Sequence, residues 1–404
     1  MAIDGAPGLG PLERYVRGAD DEVRDWCERI GALAPELGAG AEARDRAARL
    51  PFENVRRLTA EGYAALTVPR AAGGRGMGLR AMCLVQEVLA MADGPTALGL
   101  GWHLSLMLGV AASGAWPDEA RRAVFRRVVE DGALLNSCAT ERETGSPSRG
   151  GRPTTRAEAL PDGSLRLTGR KTFATFSPAL TWYLVTASLD DGAIGELLVE
   201  AGTAGARIEE TWDTFGMRAS ASHDVVLEGA IVPARALVDR FTPPARPRRS
   251  ADGGGPLLHV PACYLGIALR ARADLVRFAW AHRPNSLPGP IAELAAVQDQ
   301  VGRIDLTLMR ANAMLFDAAE AWDRADAAER GRLHGLMGAV KVAGTEAALE
   351  AVDLAMRVAG GHGLGRALPF ERYYRDVRAG LHNPPMADIA LRGLGRAALD
   401  SARP

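Results

Sequence analysis

Gly360-Gly361-His362-Gly363-Leu364, then Pro369-Phe370-Glu371-Arg372-Tyr373-Tyr374-Arg375-Asp376-Val377-Arg378, then Leu381-His382-Asn383-Pro384-Pro385 is the stretch whose reading decides the fold. A glycine cluster there closes one helix, and Pro369 opens the next, because its missing N–H and fixed φ suit a first helical position. A charged helix follows and runs into a turn stiffened by two prolines. Whatever chemistry the C-terminal part carries is expected at the end of this stretch, at His382 to Pro384.

Outward from that stretch, 404 residues are enough for two or three domains. An apolar share of 47% with only 5% aromatics fits a globular protein with large helical portions. A formal net charge of -1 gives no electrostatic reason for nucleic acid or an anionic membrane as partner. The N-terminal residues lack the basic start and apolar run of a signal peptide, and no unbroken apolar run reaches the roughly 18 residues of a membrane span, so a cytoplasmic protein is expected. Cys27, Cys83, Cys138 and Cys263 are scattered, with no ligand spacing, and read as buried thiols. Lysine occurs only at Lys171 and Lys341 against a background of arginine, which reads as coding bias.

From Asp20 to about Gly132 the apolar spacing is helical, as in Val23, Trp26, Ile30 and Leu33. Pro51 opens a helix that Gly62 ends, and further helices are expected from about Leu79 to Met91 and from about Thr96 to Ala112. From Ala133 short runs rich in Val, Leu and Thr alternate with turns such as Pro161-Asp162-Gly163, predicting a small antiparallel β domain. Thr242 to Gly255 has the proline- and glycine-rich composition of a linker. Helical periodicity then returns, with Val297, Val301, Ile304, Leu308, Ala311 and Leu315 on one face. The expected fold class is mainly α with a central β domain: a helical domain over 1–132, a β domain over 133–240 and a helical bundle over 241–404.

Three more stretches carry candidate chemistry. Asn136 to Ser146 gathers hydroxyls and a glycine on one loop, which can approach a ring or a phosphate closely. Gly169-Arg170-Lys171-Thr172-Phe173-Ala174-Thr175 and Phe215-Gly216-Met217-Arg218-Ala219-Ser220 follow it. Together with the C-terminal stretch, these resemble, in order and over most of the chain, the motifs of the acyl-CoA dehydrogenase superfamily. The resemblance implies an N-terminal helical domain, an antiparallel β domain and a helical bundle. It also implies bound FAD and a homodimer or homotetramer.

Carried over residue by residue, the resemblance puts Thr140 at the flavin pyrimidine, Ser146 at the pyrophosphate, Phe173 against the isoalloxazine and Thr175 near its reactive nitrogen. Gly360 and Gly361 fall at the adenine, and Gln298 and Asp388 are further cofactor-side candidates. His103 falls on a helix that lines the family's acyl pocket. Three departures stand out. The catalytic glutamate of many members falls on Pro384, an alternative base falls near Pro256, and the arginine-phenylalanine-glycine element is degraded to Arg283 through Gly289.

Removing an α-proton while hydride leaves needs a base. The groups remaining for proton transfer are His382 with Asn383 beside it, His103 and Asp388. Two activities follow as expectations. The first is α,β-dehydrogenation of an acyl thioester, on CoA or an acyl carrier protein, with a relocated base and an electron-transfer partner. The second is a two-component flavin monooxygenase, a hydroxylase or N-oxygenase, that draws reduced flavin from a separate reductase; Arg375 through Pro384 resembles the histidine-bearing end of such relatives.

Overall fold

The computed structural model describes residues 8–144, 151–242 and 253–402. Seven helices come first: α1 (Glu13–Arg17), α2 (Asp21–Gly38), α3 (Ala41–Ala47), α4 (Phe52–Ala60), α5 (Leu79–Ala92), α6 (Gly94–Ser113) and α7 (Asp118–Asp131). Their ends follow local chemistry. The Asp20 carboxylate caps α2 through Val23 N–H, the Asp93 carboxylate caps α6 through Thr96 N–H, and Gly62 and Gly132 take left-handed φ just past helix ends. α6 is long and apolar enough to cross a membrane, yet 78% of its apolar window is buried inside the protein. It is a core helix, packed on α5 and α8 (His259–Ala281).

Eight strands form one sheet: β1 (Leu135–Cys138), β2 (Arg156–Ala159), β3 (Leu165–Ala174), β4 (Trp182–Leu189), β5 (Ile194–Glu200), β6 (Ala206–Glu209), β7 (His223–Val232) and β8 (Leu237–Phe241). The order β6-β7-β3-β2-β4-β5-β8, with β1 on β4, is antiparallel at five pairings. It departs from a purely antiparallel domain at two, because β4 receives both β1 and β2 in parallel register. The first candidate loop therefore begins as a strand, paired from Leu135 opposite Trp182 to Cys138 opposite Val185.

The C-terminal helices are α8, α9 (Ala295–Arg324), α10 (Ala327–Arg332), α11 (His334–Ala359), α12 (Gly361–Leu364), α13 (Phe370–Arg378) and α14 (Ala387–Asp400). Ile304, Leu308, Ala311 and Leu315 of α9 are buried on the face the spacing predicts, whereas Val297 and Val301, near its start, are only partly covered. A single core runs from α2 through the sheet to α13. The fold is that of helical N- and C-terminal parts around a central, mainly antiparallel sheet.

Candidate active site

The middle sheet joins two of the sequence motifs by backbone. Thr172 N–H donates to Thr140 O at 2.9 Å, and Asn136 Nδ2 donates to Thr175 O at 3.1 Å. Behind them Lys171 Nζ meets Glu141 Oε1 at 2.6 Å with both side chains fully buried. Thr154 and Thr155 each add a backbone N–H and a hydroxyl to the same carboxylate. Burial alone would raise the Glu141 carboxyl, but the hydrogen bonds of Lys171 and Thr155 and the lysine charge hold it down to about 2.

A bulge in β3 between Lys171 and Ala174 turns Phe173 outward on a left-handed backbone, φ 57°. Its ring is 62% exposed and meets Trp212 edge to face, with centroids 6.1 Å apart. Beside it runs a chain of hydroxyls, Ser220 to Ser222 at 2.8 Å and Ser222 to Thr175 at 3.0 Å. Thr140, Phe173 and Thr175 are thus brought together at one edge of the sheet. Ser146 lies outside the described residues.

The third motif fastens this sheet to α13. Met217 N–H donates to Asp376 Oδ1 at 2.6 Å, and Arg375 pairs with Asp45 at 2.6 Å and with Glu371 at 2.7 Å. Asp376 is buried, and that burial pushes its carboxyl up to about 7 from an ordinary value of 3.8. Between those values the folded chain holds a proton that the unfolded chain has lost, so Asp376 subtracts stability as pH rises from about 3.8 to about 7. Asp376→Asn keeps an acceptor for Met217 and removes that pH-dependent loss. Its unfolding free energy is expected to exceed that of the wild type by a margin that grows across the window by on the order of 1.4 kcal/mol per pH unit. A margin flat with pH in a calorimetric series would show that Asp376 does not titrate there.

After α13 the chain makes the turn that carries His382 and Asn383. Gly380 packs on Tyr264 of α8 and Thr345 of α11, where a Cβ would stand 2.8 Å from each. Tyr264 OH then donates to Asn383 Oδ1 at 2.6 Å. His382 is exposed, with no side-chain partner among the described residues. Asp388 is exposed in the first turn of α14.

His103 sits elsewhere. It is buried on α6, accepts from Leu135 N–H at Nδ1 (3.1 Å) and holds Ala64 O at Nε2 (3.0 Å). Burial pushes it down to about 4 despite those two bonds. The tautomer is fixed as Nε2–H, no lone pair is left for proton transfer, and the imidazole clamps β1 to the helical layer.

Gly360, with φ 58°, ends α11. Next to it His362 meets His282 and Phe278 in a ring cluster (centroids 4.8 and 5.6 Å). Gln298 reaches Ala292 O at 3.2 Å, and Ile291 N–H donates to His282 O at 3.1 Å. Gly360, Gly361 and Gln298 are therefore gathered at one end of the bundle.

Comparison with known proteins identifies the family and the fold. Family models for the acyl-CoA dehydrogenase N-terminal, middle and C-terminal domains match residues 19–129, 136–230 and 259–381. The chain is 44% identical to the putative acyl-CoA dehydrogenase YdbM of Bacillus subtilis, over 95% of this chain and 98% of that one. It is 29% identical to the amino sugar nitrososynthase DnmZ of Streptomyces peucetius, over 90% and 89%. The structure of KijD3 with FMN and a dTDP-linked amino keto sugar superposes with a TM-score of 0.83 at 28% identity, covering 95% of each chain. The chain belongs to the acyl-CoA dehydrogenase family of flavin-dependent oxidoreductases, as a member with proline where the resemblance places the usual glutamate.

Proposed function

We propose that this chain is a flavin-dependent monooxygenase that takes reduced flavin from a separate reductase and oxygenates a small organic substrate. One observation carries the reading: the resemblance puts the α-proton base at Pro384, and the carboxylates and His103 packed around that turn and the sheet edge are engaged elsewhere, which leaves the exposed His382 as the proton-transfer group beside it. Asn383 is committed to Tyr264, Asp376 to Met217, Glu141 to Lys171, and His103 has both nitrogens occupied. Oxygen transfer needs no α-proton base, and the nitrososynthase relatives support the same choice.

A flavin fits the sheet edge. Phe173 holds an aromatic ring out on a left-handed backbone, a conformation rare outside glycine, at an exposure that a planar ligand would relieve. When bound, the reduced flavin supplies the two electrons with which dioxygen gives one atom to substrate and one to water. Phe173 would cover one face of the ring, and Thr140 and Thr175 would offer hydroxyls to its edge. FAD is the flavin the family resemblance implies. FMN is supported by KijD3, and by the absence here of the arginine-phenylalanine-glycine element. Assembly into a homodimer or homotetramer also belongs to the proposal, supported by exposed Leu306 and Met309 on α9 and by Leu391 and Leu399 on α14.

His382 is the group free to pass a proton at an imidazole nitrogen as water forms. His382→Ala is expected to lower product formation by about 10²- to 10⁴-fold, the usual share of general acid–base catalysis, with flavin affinity unchanged. Turnover near wild type would remove His382 from the mechanism.

Acyl-thioester dehydrogenation is the second reading, supported by the 44% identity to YdbM. One experiment separates the two. Protein loaded with oxidised FAD or FMN is titrated anaerobically with short, branched and aromatic acyl thioesters; protein loaded with reduced flavin is separately mixed with aerated buffer. The monooxygenase reading expects no bleaching, and a return of the oxidised spectrum much slower than for free reduced flavin. Bleaching by any thioester would overturn it.

A further inference from the structure

We infer that Phe176 is the back wall of the substrate site, a specificity-determining residue that keeps extended chains out and selects a compact substrate. Phe176 follows directly on Thr175, at the sheet edge proposed to hold the flavin. Its backbone is left-handed, φ 62°, as is that of Phe173 three residues earlier, φ 57°. The two rings go opposite ways: Phe173 is exposed at the edge, and Phe176 is fully buried behind it.

The buried ring lies on α6. A Cβ on Gly99 would stand 2.3 Å from Cγ, Cδ1 and Cδ2 of Phe176 alike. A point equidistant from three carbons of one ring lies on the ring's axis, so the ring sits face-on over the bare Cα of Gly99. Only glycine leaves that room. The contact is locally unfavourable on both sides: a mid-helix glycine weakens α6, and a left-handed backbone is an outlier for a bulky residue. Ordinary core filling calls for neither, since Phe125 and Phe316 reach the core from regular helices. Strain of this kind clusters at functional sites, where the surroundings hold it in place. Here Phe176 N–H donates to Ser220 O at 3.0 Å, and Phe176 O accepts from Ala179 N–H at 2.8 Å.

The same face of α6 opens one turn further on. Trp102, three residues from Gly99, is the one residue between Thr96 and Val110 that is not buried. Its ring meets His259 of α8 edge to face, with centroids 4.6 Å apart. The space between the sheet edge and α6 is therefore open at Trp102 and closed at Phe176. A substrate that enters beside Trp102 and reaches Thr175 stops at the Phe176 ring, which leaves no depth for a linear chain. The assignment rests on the proposed flavin site, and not on which reaction that site serves.

Protein loaded with FMN or FAD is titrated by calorimetry with butanol, hexanol, octanol and decanol, and with cyclohexanol as a compact ligand; the absorbance of the bound flavin is followed in parallel. Wild type is expected to bind cyclohexanol at least as tightly as hexanol and to gain nothing beyond hexanol. Phe176→Ala should keep gaining, about fourfold for each added methylene that the vacated ring space takes up, with a shift of the flavin spectrum. Phe176→Leu vacates less and should gain part of this; it carries the test if the alanine variant does not fold. Phe125→Ala, which empties another buried ring position, should show no length gain that shifts the flavin. Equal length dependence in wild type and the Phe176 variants, or no binding to any of them, overturns the wall. A gain that leaves the flavin spectrum unmoved makes Phe176 an ordinary core residue and overturns it too. A chain that takes up neither flavin overturns the flavin site and the wall together, whereas bleaching by a thioester removes the monooxygenase reading and leaves the wall standing.

Discussion

Glu141→Ala is expected to destabilise the chain by about 3–5 kcal/mol, the usual cost of stripping one partner from a buried ion pair. The substitution leaves the Lys171 ammonium with no anion at zero exposure and orphans the N–H and hydroxyl groups of Thr154 and Thr155. Lys171→Met should cost less, because Glu141 keeps its four bonds from the two threonines. The pair Glu141→Gln with Lys171→Met should recover part of the loss, since no charge remains buried and the amide oxygen still accepts from one threonine, while its NH2 faces the N–H of the other. Flavin affinity is expected to fall with Glu141→Ala, because Thr140 and Thr172 flank the ion pair and share a backbone bond. The acid side gives an independent check. The Glu141 carboxyl is held down to about 2 from an ordinary 4.5, so its contribution is fully present above about 4.5 and fades as pH falls toward 2. Glu141→Gln/Lys171→Met should lose less stability than wild type in that window. Equal acid lability, or a Glu141→Ala protein that melts with the wild type, would show that the pair does not carry this strength.

How far the sequence foretold this arrangement depended on whether a signal was local. The helices around Leu79–Ala92 and Gly94–Ser113 were legible because periodicity, an aspartate cap and bounding glycines all lie within the segment. The outward turn of Phe173 was legible only through family resemblance, since an aromatic in a strand ordinarily points into a core, and the bulge that reverses it comes from pairing with β7. β1 and its parallel pairing to β4 were not legible, because Asn136-Ser137-Cys138 has turn-like composition and is extended by a partner far along the chain. His103 stood out correctly as a histidine in an apolar helix, but its two ligands, Ala64 O and Leu135 N–H, are backbone groups that no side-chain pattern announces. Lys341 reads in the sequence as one of two lysines in an arginine-rich chain, and its burial exists only once α11 is packed. Asp376 stood inside the deciding stretch without being singled out, because its role is to receive an amide 159 residues away.

Gly216→Ala should be the most disruptive single methyl in the chain's interdomain joint. A Cβ there would lie 2.1 Å from Arg375 O and 2.5 Å from Arg375 C, both backbone atoms of α13 that no rotamer change can move aside. Either α13 or the Phe215–Ser220 segment must retreat, and either retreat lengthens the Met217–Asp376 bond that directly follows. Overpacking of this kind costs about 1–3 kcal/mol, and loss of the hydrogen bond to the buried carboxyl adds roughly 0.5–1.5 kcal/mol. Turnover should suffer beyond stability, because α13 leads into the turn bearing His382 while the displaced segment sits on the sheet that presents Phe173 and Thr175. A misplacement of about 1 Å between such groups is worth on the order of 10²-fold in rate. Gly302→Ala is the matched control: it lies mid-helix in α9 with open space around its Cβ position, and should be neutral or stabilising by up to about 1 kcal/mol. If Gly216→Ala melts and turns over like Gly302→Ala, the joint has slack and the alignment of sheet and turn must be held elsewhere. If it stays folded at lower temperature yet loses activity well beyond its lost stability, the glycine is there to let two backbones touch, and that touch is what sets His382 relative to the sheet edge proposed to hold the flavin.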